Sequence, residues 1–358
     1  MQQFRGIFTM LMLSFVILSG DAAAREFNKS KLDDYLSSLN DANKVMLSIE
    51  ITEKGAVTYR NQTGYVDIKK RFFTPDEYIP ASPNTRYKIA SITKTFTATL
   101  IFQLIEQGKL QLSTPLSQFY PQVPNAENIT VDDLLSHHSG IVNFLDQEAF
   151  YSNIKSDYTL AGLVELIASY PARPYAMRDF RYSNSNYILL TGIIEQVTGN
   201  TYEHALYQQI IDPLDLSDTQ YCSGAKGCEG YAQSYIHYEQ GIVTADEWPK
   251  TTFMGTGGMI STPTDLNRFN HALYQGELIS EASLKYMKGE MDYRGKGLEE
   301  IYCHSRTLVG HGGLLEGFRT LLAYLEDDAL SIAIACNLND MELRILLIEI
   351  LDIYYESE

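Results

Sequence analysis

Positive charge is scarce in this chain. Its 358 residues hold 28 Lys and Arg against 45 Asp and Glu, a formal net charge of -17. A nucleic-acid binder needs a basic face to displace counterions, and an anionic bilayer attracts basic segments, so neither partner is expected. Solubility is the simplest reading of the excess acid. Cysteine is sparse, with four residues. Their spacing fits no zinc site, and no His-Glu-x-x-His motif occurs, so a zinc site is disfavoured. Beyond residue 24 no apolar run approaches the roughly 20 residues of a membrane span. Repeats, low-complexity tracts and linkers are absent. The Gly-x-Ser-x-Gly elbow is missing too, which argues against an α/β-hydrolase.

What is present begins with an export pattern. Arg5 supplies a positive start, Ile7 to Leu18 an apolar stretch, and Ala22-Ala23-Ala24 a small-residue cleavage site. Residues 1–24 therefore read as a secretory signal peptide, in preference to an uncleaved anchor. No cysteine follows Gly20, so a lipid anchor there is not expected. Cysteine usage agrees with export. Cys222 and Cys228 flank Ser-Gly-Ala-Lys-Gly and are expected to bond in an oxidising compartment. Cys303 and Cys336 lie in apolar stretches, either paired or simply buried.

Strand patterns occur at both ends. Val45 to Thr52 and Ala56 to Tyr65 read as strands joined by a Glu-Lys-Gly turn, and Arg319 to Leu325 and Leu330 to Asn337 as a second hairpin. Helices are expected at Lys31 to Leu39, Ser91 to Gln107, Tyr187 to Val197, Thr264 to Tyr274 and Met341 to Tyr355. Gly255 to Ser261 reads as a glycine-rich turn. The simplest fold joining these is α/β: an antiparallel sheet built from both chain ends, flanked by helices, with a mostly helical domain inserted. The expected division is 25–108 with 251–358, and 109–250 as the insertion.

Three short motifs carry chemistry. Ser-x-x-Lys occurs at Ser91, Ser152 and Ser223, but only Ser91 opens an apolar helix straight after a strand-like approach. There its hydroxyl meets free N–H groups and the positive end of the dipole. Lys94, three residues on, projects from the same face. The plainer alternative is that Ser91 only caps the helix. Tyr-Ser-Asn occurs at Tyr151 and Tyr182; Tyr182 is preferred because it immediately precedes a helix. Its phenol is a poor base unless a cation such as Lys94 lowers its pKa. Asn184 would hold Lys94 or a substrate amide. Ordinary packing is the commoner role of a lone tyrosine. His311-Gly312-Gly313, just before the strand at Arg319, would let a substrate backbone approach. The N–H groups of Leu314 and Ser91 would then form an oxyanion hole. A glycine turn without function is the alternative.

Taken together these residues resemble the penicillin-recognising serine hydrolases, in the branch of class C β-lactamases, DD-carboxypeptidases, esterases and D-aminopeptidases. Family-like stretches accompany them: Ile129-Thr130-Val131-Asp132-Asp133-Leu134-Leu135-Ser136-His137-His138-Ser139-Gly140, Gly257-Gly258-Met259-Ile260-Ser261-Thr262, and Gly310 through Gly313. The Ser-Asp-Asn element of class A enzymes is replaced by Tyr182-Ser183-Asn184. The resemblance implies a β-lactamase/transpeptidase-like fold and an acyl-Ser91 intermediate. Catalytic roles fall to Ser91, Lys94 and Tyr182, and substrate binding to Asn184, His311, Gly313 and Leu314. Lys94 and Tyr182 both remain candidates for the base, and the resemblance implies neither a metal nor an organic cofactor.

One departure bears on substrate. Many β-lactamases carry Lys-Thr-Gly where this chain has His311-Gly312-Gly313. A histidine is only partly charged near neutral pH, so a substrate carboxylate is held less firmly. Glu316 would place a negative charge near the site, or else is solvated. The expected activity is therefore an exported hydrolase of a small peptide, amide or ester, with cell-wall peptide as one candidate partner. DD-carboxypeptidase ranks first, then esterase, then weak β-lactamase, in a bacterial periplasm. A non-catalytic sensor of the same fold is the competing reading.

Overall fold

The strand sequences at the two chain ends meet in one sheet. A computed structural model describes residues 27–42, 44–171, 179–223 and 228–356. The expected signal peptide lies outside the described residues. Leu47–Glu53 pairs antiparallel with Ala56–Thr63 on one side and with Leu330–Cys336 on the other. From edge to edge the six strands run Glu299–Cys303, Arg306–Leu315, Phe318–Leu325, Leu330–Cys336, Leu47–Glu53, Ala56–Thr63. Lys54 and Gly55 take φ of 52° and 80° in the first hairpin turn. Glycine enters that region without the Cβ clash that other residues meet.

Period-two alternation decides which face each strand residue serves. Leu47, Ile49 and Ile51 pack with Leu32 and Leu36 of helix Lys29–Asp41, and with Leu346 and Ile350 of helix Leu343–Tyr355. Of the intervening residues, Ser48 bonds the Tyr87 hydroxyl at 2.9 Å and Glu50 faces helix Pro263–Tyr274, where Asn267 Nδ2 donates to the Glu50 carbonyl at 2.9 Å. The Glu50 carboxylate is buried there, and Arg60 Nε, Thr264 and Asn267 all donate to it. A buried carboxylate is tolerable only with partners of this kind.

Helix Thr93–Glu106 is buried on nearly every face, its threonines and Lys94 included, and sits inside the molecule. Phe96 on it stacks on Phe269 with ring centroids 3.7 Å apart. Helix Asn184–Thr198 shares this core and ends at Gly199, in the left-handed region expected of a helix C-cap. The division into an α/β domain and an inserted helical one stands as our proposal.

Two segments differ from expectation. Gly255 to Ser261 is not a turn throughout: Met254–Gly257 is a helical turn and Met259–Ser261 a buried strand between Tyr87–Lys88 and Gln220–Tyr221. Tertiary pairing of Met259 and Ile260 overrides the local glycine signal. The expected helical insertion also holds a hairpin, Tyr235–Tyr238 with Gly241–Thr244.

Glu316 differs as well. It is not solvated. Its side chain is 0% exposed and its carboxylate lies 2.6 Å from Lys88 Nζ, while Oε1 accepts the Trp248 N–H at 2.7 Å. Burial pushes the Glu316 pKa up, and Lys88 opposes this. Removing one partner of a buried pair leaves an uncompensated charge, at a cost of about 3–5 kcal/mol. Lys88→Ala is therefore expected to destabilise by that amount in urea unfolding, and adding Glu316→Ala to recover part of it. A double variant that loses stability additively would contradict this account.

Candidate active site

The backbone before Ser91 is strained. Strand Tyr87–Lys88 ends, Ile89 takes φ -86° and ψ -2°, and Ala90 enters the left-handed region at φ 49°. An alanine there costs roughly 1–2 kcal/mol. The sharp turn delivers Ser91 into a 3-10 turn, Ala90–Ile92, that feeds helix Thr93–Glu106. Thr320 holds the turn from the sheet by donating to the Ile89 carbonyl at 2.9 Å.

The sheet edge comes close to this turn. A Cβ on Gly313 would stand 2.1 Å from Thr320 Oγ1 and 2.5 Å from the Ile89 carbonyl, so only glycine fits. His311-Gly312-Gly313 precedes strand Phe318–Leu325 as expected, and itself lies inside strand Arg306–Leu315. Pairing of Gly312 with Leu321 and Gly313 with Thr320 supplies the ladder that glycine propensity discourages.

Around Ser91 the groups converge. Lys94 Nζ lies 3.1 Å from Ser91 Oγ, 2.8 Å from Asn184 Oδ1 and 2.8 Å from the Thr256 carbonyl. The Tyr182 hydroxyl donates to Ser91 Oγ at 2.9 Å. Asn184 opens its helix, and its own N–H and Nδ2 both donate to Asn143 Oδ1, at 3.1 and 3.3 Å. That anchor turns Oδ1 toward Lys94. Between the two readings of Asn184, it is Lys94 that it touches.

Burial governs the electrostatics. Lys94 is 0% exposed and desolvation holds its pKa well below the usual lysine value, with the charge of Glu299 opposing. Burial pushes the Tyr182 phenol up, so the expected lowering by Lys94 does not occur. Tyr182 exposes 38% of its surface, but its hydroxyl end is packed deep in the cleft. A neutral Lys94 offers little field to stabilise a phenolate. His311 is buried, and desolvation lowers its pKa, so the neutral ring is favoured. Its Nδ1 lies 2.6 Å from the Gly312 carbonyl and must carry the proton.

A cavity of about 600 Å³ is lined by Ala90, Ser91, Tyr182, Asn184, Thr256, Glu299, His311, Gly313 and Leu314. Six of the seven site residues expected from the sequence thus border one space, and the seventh, Lys94, is buried behind Ser91. The other motif copies stand apart from it. Ser152 donates to its own helix at the Glu148 carbonyl, Tyr151 is exposed, and Ser223 bonds the Lys250 carbonyl. Lys226 lies outside the described residues. Cys222 and Cys228 form the expected disulfide, while Cys303 and Cys336 are buried and free. Among the described residues no group of three or more His, Cys, Asp or Glu is arranged to hold a metal. No described helix is long and apolar enough to cross a membrane.

Three contributors escaped sequence reasoning. The Thr256 carbonyl carries no side-chain signal. His137 stacks on Tyr182 with ring centroids 4.4 Å apart, and its Nδ1 accepts the Ser183 N–H at 3.1 Å. The run Ser136-His137-His138 was visible, but not the contact. Glu299 reaches the site from the edge strand, which no local pattern announces.

This geometry matches known proteins. The family model described as Beta-lactamase matches residues 33–353. The chain belongs to the beta-lactamase family. It is 29% identical over 251 residues to teichoic acid D-alanine hydrolase of Staphylococcus aureus, covering 70% of this chain and 58% of that protein. The match thus spans less than two thirds of that relative's length. Among solved structures, D-amino acid amidase of Ochrobactrum anthropi SV3 superposes with a TM-score of 0.79 at 25% identity, covering 90% of this chain and 97% of the other. FmtA of Staphylococcus aureus gives 0.76 at 25% identity, covering 92% and 90%. The family, a family of serine hydrolases, and its β-lactamase/transpeptidase-like fold agree with the resemblance read from the motifs.

Two outcomes follow from the geometry. Gly313→Ala is expected to push the sheet edge off the Ser91 turn and lower kcat/KM by about 100-fold, the scale of a 1 Å misplacement. Unfolding midpoints measured alongside should show a much smaller loss. The second concerns pH. A lysine with a lowered pKa is neutral above that value and charged below it. Activity is expected to rise with pH through the depressed Lys94 pKa and to fall away on the acid side. An acid limb near the ordinary lysine value, or one that vanishes in His311→Asn, would count against Lys94.

Proposed function

We propose that this chain is a serine hydrolase that cleaves an ester or amide through an acyl-Ser91 intermediate, with a D-aminoacyl group as the acyl portion. The observation that carries the chemistry is the double contact of Ser91 Oγ, with Lys94 Nζ at 3.1 Å and Tyr182 Oη at 2.9 Å. A neutral lysine has two N–H donors and one lone pair. Asn184 and the Thr256 carbonyl take the two donors, which leaves the lone pair for the Ser91 proton. Lys94 is therefore assigned as the base. Tyr182, whose phenol stays protonated, is assigned as the acid.

Ser91 Oγ forms a bond to the acyl carbon, and its proton passes to Lys94. The developing oxyanion is assigned to the N–H groups of Ser91 and Leu314. Collapse breaks the bond to the leaving oxygen or nitrogen, which takes the Tyr182 proton. Lys94 gives up the proton it holds to restore Tyr182. Water then repeats the sequence on the acyl-enzyme.

The substrate reading draws on the names of the relatives, a D-amino acid amidase and a teichoic acid D-alanine hydrolase. Both names contain a D-amino acid. A carboxypeptidase or β-lactam substrate ranks behind, because a neutral His311 lacks the fixed charge that would hold a carboxylate. A non-catalytic sensor is disfavoured by the intact contacts at Ser91. Export, with the periplasm as its finer form, is supported by the export pattern and by the Cys222–Cys228 bond, which persists in oxidising compartments.

The test is Ser91→Ala, assayed on D-alanine amide and p-nitrophenyl esters. Turnover should fall at least about a thousandfold with an unchanged circular dichroism spectrum. Intact mass should show an acyl adduct in the parent protein alone. A folded Ser91→Ala variant with full turnover would sink the proposal.

A further inference from the structure

The cleft continues beyond the nucleophile. A second cavity of about 600 Å³ is lined by His137, His138, Phe180, Tyr293 and Arg294 among others. It shares Tyr182, Glu299, Glu300 and His311 with the first cavity, whereas Ser91, Asn184 and Leu314 border the first alone. Tyr182 thus stands where the two spaces join. On the mechanism above, Tyr182 protonates the departing atom. The acyl portion then occupies the first cavity, and the leaving group lies toward the second.

The junction has a definite polarity. Glu299 ends the edge strand, opposite Gly310, and its carboxylate accepts the Gly312 N–H at 3.4 Å. It is exposed to the cleft and has no ion-pair partner among the described residues. Glu300 lies beside it, its carboxylate bonded to the Tyr302 hydroxyl. A neutral His311 with its proton on Nδ1 presents a lone pair at Nε2, not a donor. The cations at the cavity wall face other carboxylates. Lys288 is 2.8 Å from Glu326, and Arg294 stands 3.7 Å from both Asp132 and Asp133. A carboxylate crossing the junction would meet a like charge and a lone pair. An alcohol or amine would meet acceptors for its O–H or N–H.

We propose that the second cavity is the leaving-group subsite and that Glu299 is its specificity-determining residue, admitting neutral or cationic alcohols and amines and rejecting carboxylates. This rests on the acyl-Ser91 reading and narrows it, since a carboxypeptidase releases an amino acid bearing a carboxylate on the leaving side. The aromatic lining of Phe180, Tyr293 and His138 offers apolar faces to the body of the leaving group.

The test varies only the leaving group. Methyl 4-acetoxybenzoate and 4-acetoxybenzoate share the acetyl group and differ in one negative charge on the departing phenol. With each rate normalised to uncatalysed hydrolysis, the parent protein should favour the neutral ester by about tenfold or more, the scale of a like-charge contact of some 1.4 kcal/mol. Glu299→Gln should shrink that ratio to below about threefold. Added salt should narrow it in the parent protein, a response that a merely structural role would not give. Equal normalised rates in the parent protein, or an unchanged ratio in Glu299→Gln, overturn the leaving-group assignment. The Ser91→Ala control, run on the neutral ester, decides the serine-hydrolase reading separately. Failure of the parent protein to turn over either acetate overturns the leaving-group assignment alone, and turnover of D-alanine amide then decides the serine-hydrolase reading.

Discussion

The interaction on which the rest depends is the burial of the Lys94 amine beside Ser91. A charged ammonium with no carboxylate partner in the interior is costly, so the neutral form is favoured. A neutral amine still needs its two donors satisfied. One acceptor comes from Asn184, held by Asn143, and the other from the Thr256 carbonyl. The turn bearing Thr256 must therefore lie hard against helix Thr93–Glu106. Gly255 permits this: a Cβ there would stand 3.0 Å from Thr97 Oγ1 on that helix and 2.3 Å from Thr191 Oγ1 on helix Asn184–Thr198. Once both donors are placed, the lone pair is left for Ser91.

The same logic explains where strain is held. Ala90 keeps a left-handed backbone because strand Tyr87–Lys88 fixes one side of the turn and the buried helix fixes the other. Thr320 and Gly313 close the third side from the sheet. Strain at such a point persists only where the surroundings over-determine it. The buried pair of Lys88 and Glu316 belongs to this frame, since Lys88 lies three residues before Ser91 and Glu316 three after Gly313.

His137 shows how a residue outside the reacting set can matter. Its ring is held by donors at Nδ1 from Ser183 and Asn186 while one face lies on Tyr182. Burial keeps it neutral. A protonated ring would set N–H against N–H at Nδ1, so the Tyr182 platform and the neutral imidazole go together.

Local pattern determined a good deal of this protein. The spacing of Ser91 and Lys94 on one helix face is a consequence of 3.6 residues per turn, and the start of a helix just after Tyr182 was legible from its apolar run. Strands at both ends with helices between left few ways to build a sheet. Tertiary structure alone decided the rest. Met259–Ser261 became a strand because Tyr87–Lys88 lay beside it, and His311 entered a strand because Phe318–Leu325 supplied the ladder. Glu316 found Lys88 across 228 residues, and Glu299 reached the cleft from an edge strand. Periodicity constrains neighbours within an element. Partners from distant segments, and the solvent exclusion that shifts a pKa, exist only once the chain has closed on itself.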